Sequence, residues 1–202
     1  AVLIAKELGF SEQACDELRR TALLHDIGKI AIPDSVLNKP SRLTDEEYEI
    51  MKSHVVKGGE ILKNFTLLKH VEEGALYHHE RYDGRGYVHG LKGEEIPLNA
   101  RIIGIADAFD AMTANRVYRK KLDMDYVLSE LQRGRGTQFD PKLVDLMLKL
   151  IDNGTIDVAK LYEETAKAKN AGDNQNDTGN HHNNTDHSNA DNADKETEVH
   201  AQ

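Results

Sequence analysis

Apolar residues recur every three or four positions over most of this chain, which is the spacing that places them on one face of a helix. Short polar turns separate these segments, and no segment alternates apolar and polar residues as a half-buried strand would. The pattern therefore predicts an all-α fold, in which amphipathic helices pack as a bundle.

Capping signals indicate where individual helices begin. Ser11 is an N-cap residue for a helix whose inner face should include Leu23. Thr44 and Glu47 have the spacing of a capping box and should open one long helix that runs as far as Leu62.

Composition separates a tail from the body of the chain. From Asn170 to Gln202 there is a single Val, no aromatic residue, and seven acids against one Lys. A segment with so little to bury cannot offset the entropy lost on ordering. We predict a folded domain over residues 1–168 and a disordered tail, rich in Asn, Asp and His, over residues 169–202.

Charge and cysteine content exclude several classes of function. The formal net charge is −9 and no long basic stretch exists, which argues against binding to a nucleic acid polymer. The single cysteine, Cys15, allows no intrachain disulfide and fits a reducing compartment such as the cytoplasm. There is no apolar run of membrane-spanning length, so we expect no membrane contact from this segment. The chain begins within an apolar-periodic segment and without Met, so we expect further chain before Ala1.

Chargeable side chains interrupt apolar sequence at two places that are predicted to be helical. His25 and Asp26 lie within ALLHDIGKIAI, and Asp107 and Asp110 lie three apart within RIIGIADAFDAM. A buried carboxylate needs a cation, a metal ion or several hydrogen-bond donors. The simpler alternatives are a partly exposed His-Asp pair and an Asp that caps a helix or forms an ion pair.

A third place where chargeable side chains adjoin predicted helices is formed by histidines. His78 and His79 end a predicted helix and precede the glycine-rich stretch ERYDGRGYVHG, while His54 lies on the helix predicted after Thr44. Taken alone, a histidine on such a helix can equally be a packed core residue.

Together these positions offer four imidazoles and two carboxylates from four predicted helices. The candidates are His25, Asp26, His54, His78, His79 and Asp107. Mixed imidazole and carboxylate ligation suits Fe, Mn or Zn, and an aspartate can bridge two ions. Two such ions could clamp a phosphate ester for in-line displacement. Sequence spacing leaves open whether the six side chains converge.

A series of motifs in order resembles the HD-GYP subgroup of the HD superfamily of metal-dependent phosphohydrolases. The resemblance runs from about residue 1 to residue 151 and rests on HDIGK (25–29), HHERYDGRGY (78–87), ADAFDAM (106–112), NRVYRK (115–120) and GTQFDP (136–141). It implies an all-α HD fold with a short GYP loop. It also implies a bacterial signalling hydrolase that cuts cyclic di-GMP to pGpG or GMP with two or three divalent ions, commonly iron or manganese. An upstream sensory or receiver domain is typical of the family, and a homodimer is compatible with it.

The resemblance assigns roles to individual positions. The same six residues would be the metal ligands, with Asp26 and Lys29 as the catalytic positions and Lys29 beside the attacked phosphate. Glu80 is expected to hold an imidazole in its tautomer. The implied substrate-binding positions are Gly84, Gly86, Tyr87, Asp110, Arg116 and Arg119.

Two departures from the family pattern bear on function. The loop reads Gly86-Tyr87-Val88 where the family has Gly-Tyr-Pro, which predicts an altered loop, and the following His89 is either a surface residue or an extra polar contact. Residues 1–24 contain no His, so a further family ligand is expected before Ala1. Besides an active phosphodiesterase, the sequence allows a non-catalytic cyclic di-GMP sensor or adaptor, or a hydrolase of another cyclic dinucleotide.

Overall fold

The computed structural model describes residues 1–65, 70–114 and 122–160; these contain nine complete α-helices and two short 3₁₀ helices, and residues 158–160 are helical as well. The chain divides into two units, Ala1–Ile156 and Asp157–Gln202, and the second is described only as far as residue 160. The predicted boundary at residue 168 and the predicted disordered tail therefore lie outside the described residues.

The α-helices are α1 (Val2–Glu7), α2 (Glu12–Leu24), α3 (Asp34–Leu37), α4 (Asp45–Lys52), α5 (His54–Leu62), α6 (Val71–Tyr77), α7 (Leu98–Thr113), α8 (Met124–Gly134) and α9 (Pro141–Asp152). The 3₁₀ helices span Ile27–Ala31 and Gly93–Glu95. No β-strand occurs over the three described ranges, so the predicted all-α class is confirmed.

The predicted capping residues begin their helices as expected. The Ser11 hydroxyl accepts a hydrogen bond from the backbone N–H of Ala14 (3.2 Å) at the start of α2. At the start of α4, Thr44 and Glu47 form both hydrogen bonds of the capping box. Each cap satisfies backbone donors that a helix start leaves unpaired.

Two details of the predicted helices are wrong. The long helix predicted from Thr44 to Leu62 is two helices, α4 and α5, which meet at Ser53, and the Ser53 hydroxyl donates back to the carbonyl oxygen of Ile50 (2.6 Å). Leu23 is 78% exposed although it was expected on the inner face of α2. At 3.6 residues per turn it lies about 140° around the helix from the fully buried Leu18.

Two glycines allow the elements that bear the candidate site to approach closely. A Cβ atom at Gly28 would collide with the backbone of His54 and Gly58, so the 3₁₀ helix Ile27–Ala31 lies directly against α5. A Cβ atom at Gly104 would lie 2.7 Å from the carbonyl oxygen of His78, so α7 lies equally close to the end of α6. Backbone contacts of this kind are possible only where no side chain intervenes.

Helix α7 carries much of the core. Nine of its residues are buried, and it packs against α6, α8 and α9. At 16 residues it is the longest helix described, and none of the described helices combines the length and apolarity that a membrane span requires.

Candidate metal centre

Four elements bring the six predicted ligands to one place. His25 and Asp26 follow the end of α2, and His54 is the first residue of α5. His78 and His79 follow the end of α6, and Asp107 lies within α7. The close contacts at Gly28 and Gly104 therefore set the spacing between these four elements.

Four of the side chains form a compact donor group. Asp26, His54, His78 and His79 each offer one ligand atom, and these atoms all lie within 4.8 Å of one another. The Oδ1 atom of Asp26 is 3.4 Å from Nε2 of His54 and 3.8 Å from Nε2 of His78. Donor atoms bound to one ion at about 2.0–2.2 Å lie at most about 4.4 Å apart, so small side-chain shifts would let this group surround a single ion.

The second oxygen of Asp26 faces the remaining candidates. Its Oδ2 atom is 3.4 Å from Nε2 of His25, and that nitrogen is 3.6 Å from Oδ1 of Asp107. Lys29 also reaches this oxygen, with its Nζ atom at 2.7 Å. The carboxylate of Asp26 thus lies between two sets of nitrogen donors.

Backbone carbonyl groups fix the orientation of three imidazoles. Nδ1 of His25 donates to Ala22 (2.6 Å), Nδ1 of His54 to Met51 (2.7 Å), and Nδ1 of His78 to Gly74 (2.8 Å). A carbonyl oxygen only accepts, so the proton of each neutral ring lies on Nδ1 and Nε2 keeps its lone pair. This is the arrangement of a histidine that binds metal through Nε2.

The buried atoms of the cluster lack hydrogen-bond partners. Within the described residues these unpaired atoms include His25 Nε2, Asp26 Oδ1, His54 Nε2 and His78 Nε2. A buried polar atom without a partner is destabilising, and such atoms are uncommon in native proteins. Asp26 Oδ1, His54 Nε2 and His78 Nε2 carry lone pairs and lie close together, so one cation would satisfy these three atoms. The residues therefore fit a divalent metal ion.

Protonation in the folded chain also favours metal binding. Burial lowers the pKa of His54, burial and neighbouring imidazoles lower that of His78 well below its ordinary value, and the same effects lower the pKa of His79 to about 3. Burial opposes the charged form of Asp26 and Asp107 as well, but His25 holds the pKa of both carboxyls below its usual range. Neutral imidazoles and ionised carboxylates are the forms that bind metal.

His25 differs from the other imidazoles. Burial lowers its pKa, but the neighbouring carboxylates of Asp107 and Asp26 outweigh burial, so the net shift is upward. A proton on His25 would therefore compete with a metal ion at this side of the cluster.

The glycine-rich loop lies against the cluster. The ring of Tyr87 stacks on the imidazole of His79, with centroids 4.9 Å apart and planes at 22°. A Cβ atom at Gly86 would collide with the backbone of Glu80 and Arg81, and Gly84 has a φ of +80° that favours glycine. The loop thus places Tyr87 against one of the candidate ligands, while Gly84 and Gly86 allow the turns of the loop that carries it.

Glu80 has a different part from the one predicted. Its Oε1 atom accepts the backbone N–H groups of His89 (2.7 Å) and Gly90 (3.1 Å), and its Oε2 atom has no hydrogen-bond partner. The prediction that Glu80 orients an imidazole is wrong, because its side-chain hydrogen bonds go to these backbone N–H groups and not to a histidine ring. His89 itself is exposed and its ring contacts Tyr77.

The remaining predicted positions are only partly described. Asp110 is an exposed residue one turn beyond Asp107 on α7. Arg116 and Arg119, the predicted phosphate-binding arginines, lie outside the described residues.

Sequence reasoning missed two residues near the loop. Lys52 and Tyr48 lie one turn apart on α4, and the Lys52 Nζ atom lies over the rings of both Tyr48 (5.2 Å) and Tyr87 (5.8 Å). Their four-residue spacing and the position of Lys52 just before His54 were the available signals. On a helix so rich in charge, however, such a pair is typical of a solvent-exposed face.

The comparisons with known proteins agree with this geometry. A family model described as HD domain (HD_5) matches residues 1–143. The chain is 48% identical over 152 residues to the cyclic di-GMP phosphodiesterase response regulator RpfG of Xanthomonas campestris, a match that covers 74% of this chain and 40% of RpfG. It is 46% identical over 149 residues to a cyclic di-GMP phosphodiesterase of Thermotoga maritima, covering 73% of this chain and 40% of that protein.

A solved structure gives the same fold. The crystal structure of a cyclic GMP-AMP specific phosphodiesterase of Vibrio cholerae (V-cGAP3) matches with a TM-score of 0.57 and 25% identity, covering 75% of this chain and 42% of that one. This chain thus spans about two fifths of the length of the relatives named here. From the family match, the similarity to these relatives and the convergence of its His and Asp side chains, the chain belongs to the HD domain family.

Proposed function

We propose that this chain is the catalytic domain of a metal-dependent phosphodiesterase that hydrolyses cyclic di-GMP to pGpG or GMP in bacterial second-messenger signalling. The observation that carries the proposal is the convergence of unpaired, buried imidazole and carboxylate atoms on the HD framework. The choice of substrate is supported by the similarity of this chain to RpfG and to the Thermotoga maritima enzyme, which are both named as cyclic di-GMP phosphodiesterases.

The metal ligands that we propose are the six converging residues. Asp26 would serve two ions, because one of its oxygens faces His54 and His78 and the other faces His25. His79 and Asp107 would complete the two ligand sets. Mixed imidazole and carboxylate ligation suits iron, manganese or zinc, and the resemblance to the HD-GYP subgroup favours iron or manganese among them. When bound, such ions supply the Lewis acidity that polarises a phosphodiester and lowers the pKa of water.

The protein's own charges would act on the substrate beside this centre. The ammonium group of Lys29 lies 2.7 Å from Asp26 Oδ2, and its side chain is 35% exposed, so it is open to a phosphate that approaches the cluster. There it can donate hydrogen bonds to the non-bridging oxygens as their negative charge increases. We propose that Arg116 and Arg119 bind the phosphates through their planar guanidinium groups, and that Asp110, Gly84 and Gly86 border the bound nucleotide.

A second candidate substrate is 3′3′-cGAMP. The solved structure that matches this chain is named as a cyclic GMP-AMP specific phosphodiesterase. The two dinucleotides share the phosphodiester that the cluster would attack and differ in one base. Residues that contact the base, and not the metal ligands, would therefore decide between them.

Hydrolysis by the full-length protein that contains this chain tests the proposal. The protein would be loaded with Mn²⁺ or Fe²⁺ and supplied with cyclic di-GMP and 3′3′-cGAMP in parallel, with products identified by liquid chromatography. We expect pGpG or GMP from cyclic di-GMP, and no product after the metal is removed by a chelator. Tight binding of cyclic di-GMP without product at any metal loading would instead support a sensor or adaptor. Faster turnover of 3′3′-cGAMP than of cyclic di-GMP would make 3′3′-cGAMP the preferred substrate.

Three parts of the proposal concern the whole protein. An upstream sensory or receiver domain would couple a signal to hydrolysis, and RpfG is named as a response regulator. The location in the cytoplasm and assembly as a homodimer likewise remain predictions.

A further inference from the structure

His79 is held differently from the other three imidazoles of the cluster. Each of His25, His54 and His78 donates a hydrogen bond from Nδ1 to a backbone carbonyl oxygen. The His79 ring has no hydrogen bond to any residue that the structure describes, and rings surround it instead. The nearest centroids are those of His78 (4.1 Å), Tyr87 (4.9 Å) and His54 (5.2 Å).

Tyr87 makes the only near-parallel contact among these three. Its ring plane is inclined by 22° to the His79 imidazole, whereas those of His78 and His54 are inclined by 45° and 89°. A stacked ring limits rotation of the imidazole about its second side-chain torsion, which is otherwise a broad and soft motion. Tyr87 can therefore fix the orientation of the His79 ring, as a carbonyl oxygen does for the other three rings.

Helix α4 braces Tyr87 from outside the cluster. The Nζ atom of Lys52 lies over the Tyr87 ring, 5.8 Å from its centroid, which is within the range of a cation–π interaction. Tyr48 meets Tyr87 edge to face at 6.4 Å. An ion pair with Glu49 (2.6 Å) holds the Lys52 ammonium group in turn.

The backbone links the same two residues. The N–H of Tyr87 donates to the carbonyl oxygen of His79 (3.4 Å), and Glu80 binds the N–H groups of His89 and Gly90. These backbone hydrogen bonds close the loop on His79. They also keep Tyr87 where its ring stacks against the His79 imidazole.

We propose that Tyr87 is a positioning residue for His79, and that Lys52 and Tyr48 brace it. The stacked ring holds the His79 imidazole in the orientation that binds metal, in the absence of a carbonyl partner. This inference rests on the proposed function of the cluster as a metal centre. It also gives Tyr87 a role besides the substrate binding that the resemblance implies, because one face of its ring is already covered by His79.

Three variants of the full-length protein separate the ring from its surroundings. Tyr87→Leu removes the aromatic stack, Tyr87→Phe keeps it without the hydroxyl, and Val88→Ala alters an exposed neighbour in the same loop. Titration with Mn²⁺ should show affinity weakened about 10- to 100-fold in Tyr87→Leu, the loss typical when a group that orients a ligand is removed. Tyr87→Phe and Val88→Ala should bind as the wild type does. Lys52→Met, which leaves the loop sequence intact, should show a smaller loss of affinity.

A second readout separates positioning from a general loss of structure. In the metal-free protein, NMR relaxation of the imidazole rings should show faster motion of the His79 ring in Tyr87→Leu, while the rings of His25, His54 and His78 stay as rigid as in the wild type. Wild-type Mn²⁺ affinity and unchanged motion of the His79 ring in Tyr87→Leu would overturn the inference. A Tyr87→Phe protein that binds Mn²⁺ as weakly as Tyr87→Leu would overturn it as well. A Tyr87→Leu protein that changes all four imidazoles alike would assign the residue a general structural role and overturn it too.

The same experiments keep this inference apart from the proposed function. A wild-type protein that binds Mn²⁺ but hydrolyses neither dinucleotide refutes the proposed function, while the variants still decide the part of Tyr87. A wild-type protein that binds no metal refutes both.

Discussion

The Oδ1 atom of Asp26 lies 3.4 Å from Nε2 of His54, and neither atom has a hydrogen-bond partner although both are buried. A carboxylate oxygen and an unprotonated ring nitrogen cannot bond to each other, since each offers only a lone pair. Their approach is stable only with a positive charge between them, which is the physical basis for a metal centre here.

Replacing Asp26 should therefore remove metal and activity together. Asp26→Asn keeps the size of the side chain but removes the charge that both sets of nitrogen donors face. We expect metal content, measured by elemental analysis after gel filtration, to fall close to zero, and turnover to fall by more than about 100-fold. Asp16→Asn is the matched control, because Asp16 forms only exposed ion pairs with Arg19 and Arg20. Wild-type metal content in Asp26→Asn would refute the ligand assignment.

Gly28 should be intolerant of even one added carbon. A Cβ atom there would collide with the carbonyl group of His54, so Gly28→Ala must push the 3₁₀ helix away from α5 and displace Asp26 from His54. Overpacking of this kind costs about 1–3 kcal/mol of unfolding free energy, measurable by urea denaturation. Ile30→Ala, at an exposed position of the same 3₁₀ helix, should change it by less than about 0.5 kcal/mol. Equal stability of the two variants would contradict the close contact.

The metal-free protein should lose stability as the pH falls from about 7 to about 5. Burial lowers the folded-state pKa of His54, His78 and His79, the last to about 3, whereas histidines of an unfolded chain titrate near 6.5. The unfolded chain therefore binds more protons below about pH 6.5, and the free energy of unfolding decreases there as the pH falls. The raised pKa of His25, where the neighbouring carboxylates of Asp107 and Asp26 outweigh burial, offsets part of this loss.

Urea denaturation in the presence of a chelator would measure this slope at several pH values. His79→Gln should flatten it, by up to about 1.4 kcal/mol per pH unit for one histidine. Leu23→Gln, which alters an exposed residue that does not titrate, should leave the slope as in the wild type. If the wild-type protein had the same free energy of unfolding at about pH 5 and about pH 7, the shifted pKa values would be contradicted.

Glu80 should hold the glycine-rich loop closed. Its carboxylate accepts two backbone N–H groups, and hydrogen bonds to charged groups contribute about 1.5–3 kcal/mol. In Glu80→Ala, amide exchange of His89 and Gly90 should accelerate about 10- to 150-fold as the local opening becomes easier. Glu94→Gln, at an exposed residue beyond the loop, should leave these amides protected. Unchanged exchange at His89 and Gly90 in Glu80→Ala would show that other contacts close the loop.

The sequence predicted the starts of helices best, because a capping residue acts through a hydrogen bond to a backbone group only a few positions away. Ser11 and Thr44 cap helices because their hydroxyls reach nearby backbone N–H groups, a short-range interaction that depends little on the rest of the fold. The division of the helix at Ser53 could not be predicted in this way. An apolar period continues across it, and only a local bond to Ile50 marks the break.

The candidate site was predicted as a set of residues but not as an arrangement. Chargeable groups in apolar segments identified Asp26 and the histidines, because burial without a partner is costly for such groups. Which imidazole has a carbonyl partner depends on helix geometry, so the exception of His79 became visible only in three dimensions. The contact of Lys52 with Tyr87 could not be predicted either, because it joins residues that are 35 positions apart in the sequence.

Anomalous X-ray scattering from crystals of the Mn²⁺-loaded protein would test the central claim most directly. The account predicts an anomalous peak within bonding distance of Asp26, His54, His78 and His79, whose donor atoms already lie within 4.8 Å of one another. It further predicts a second peak on the side of Asp26 that faces His25 and Asp107. An active enzyme without anomalous density at this cluster, or with its metal ions bound by other residues, would contradict the account.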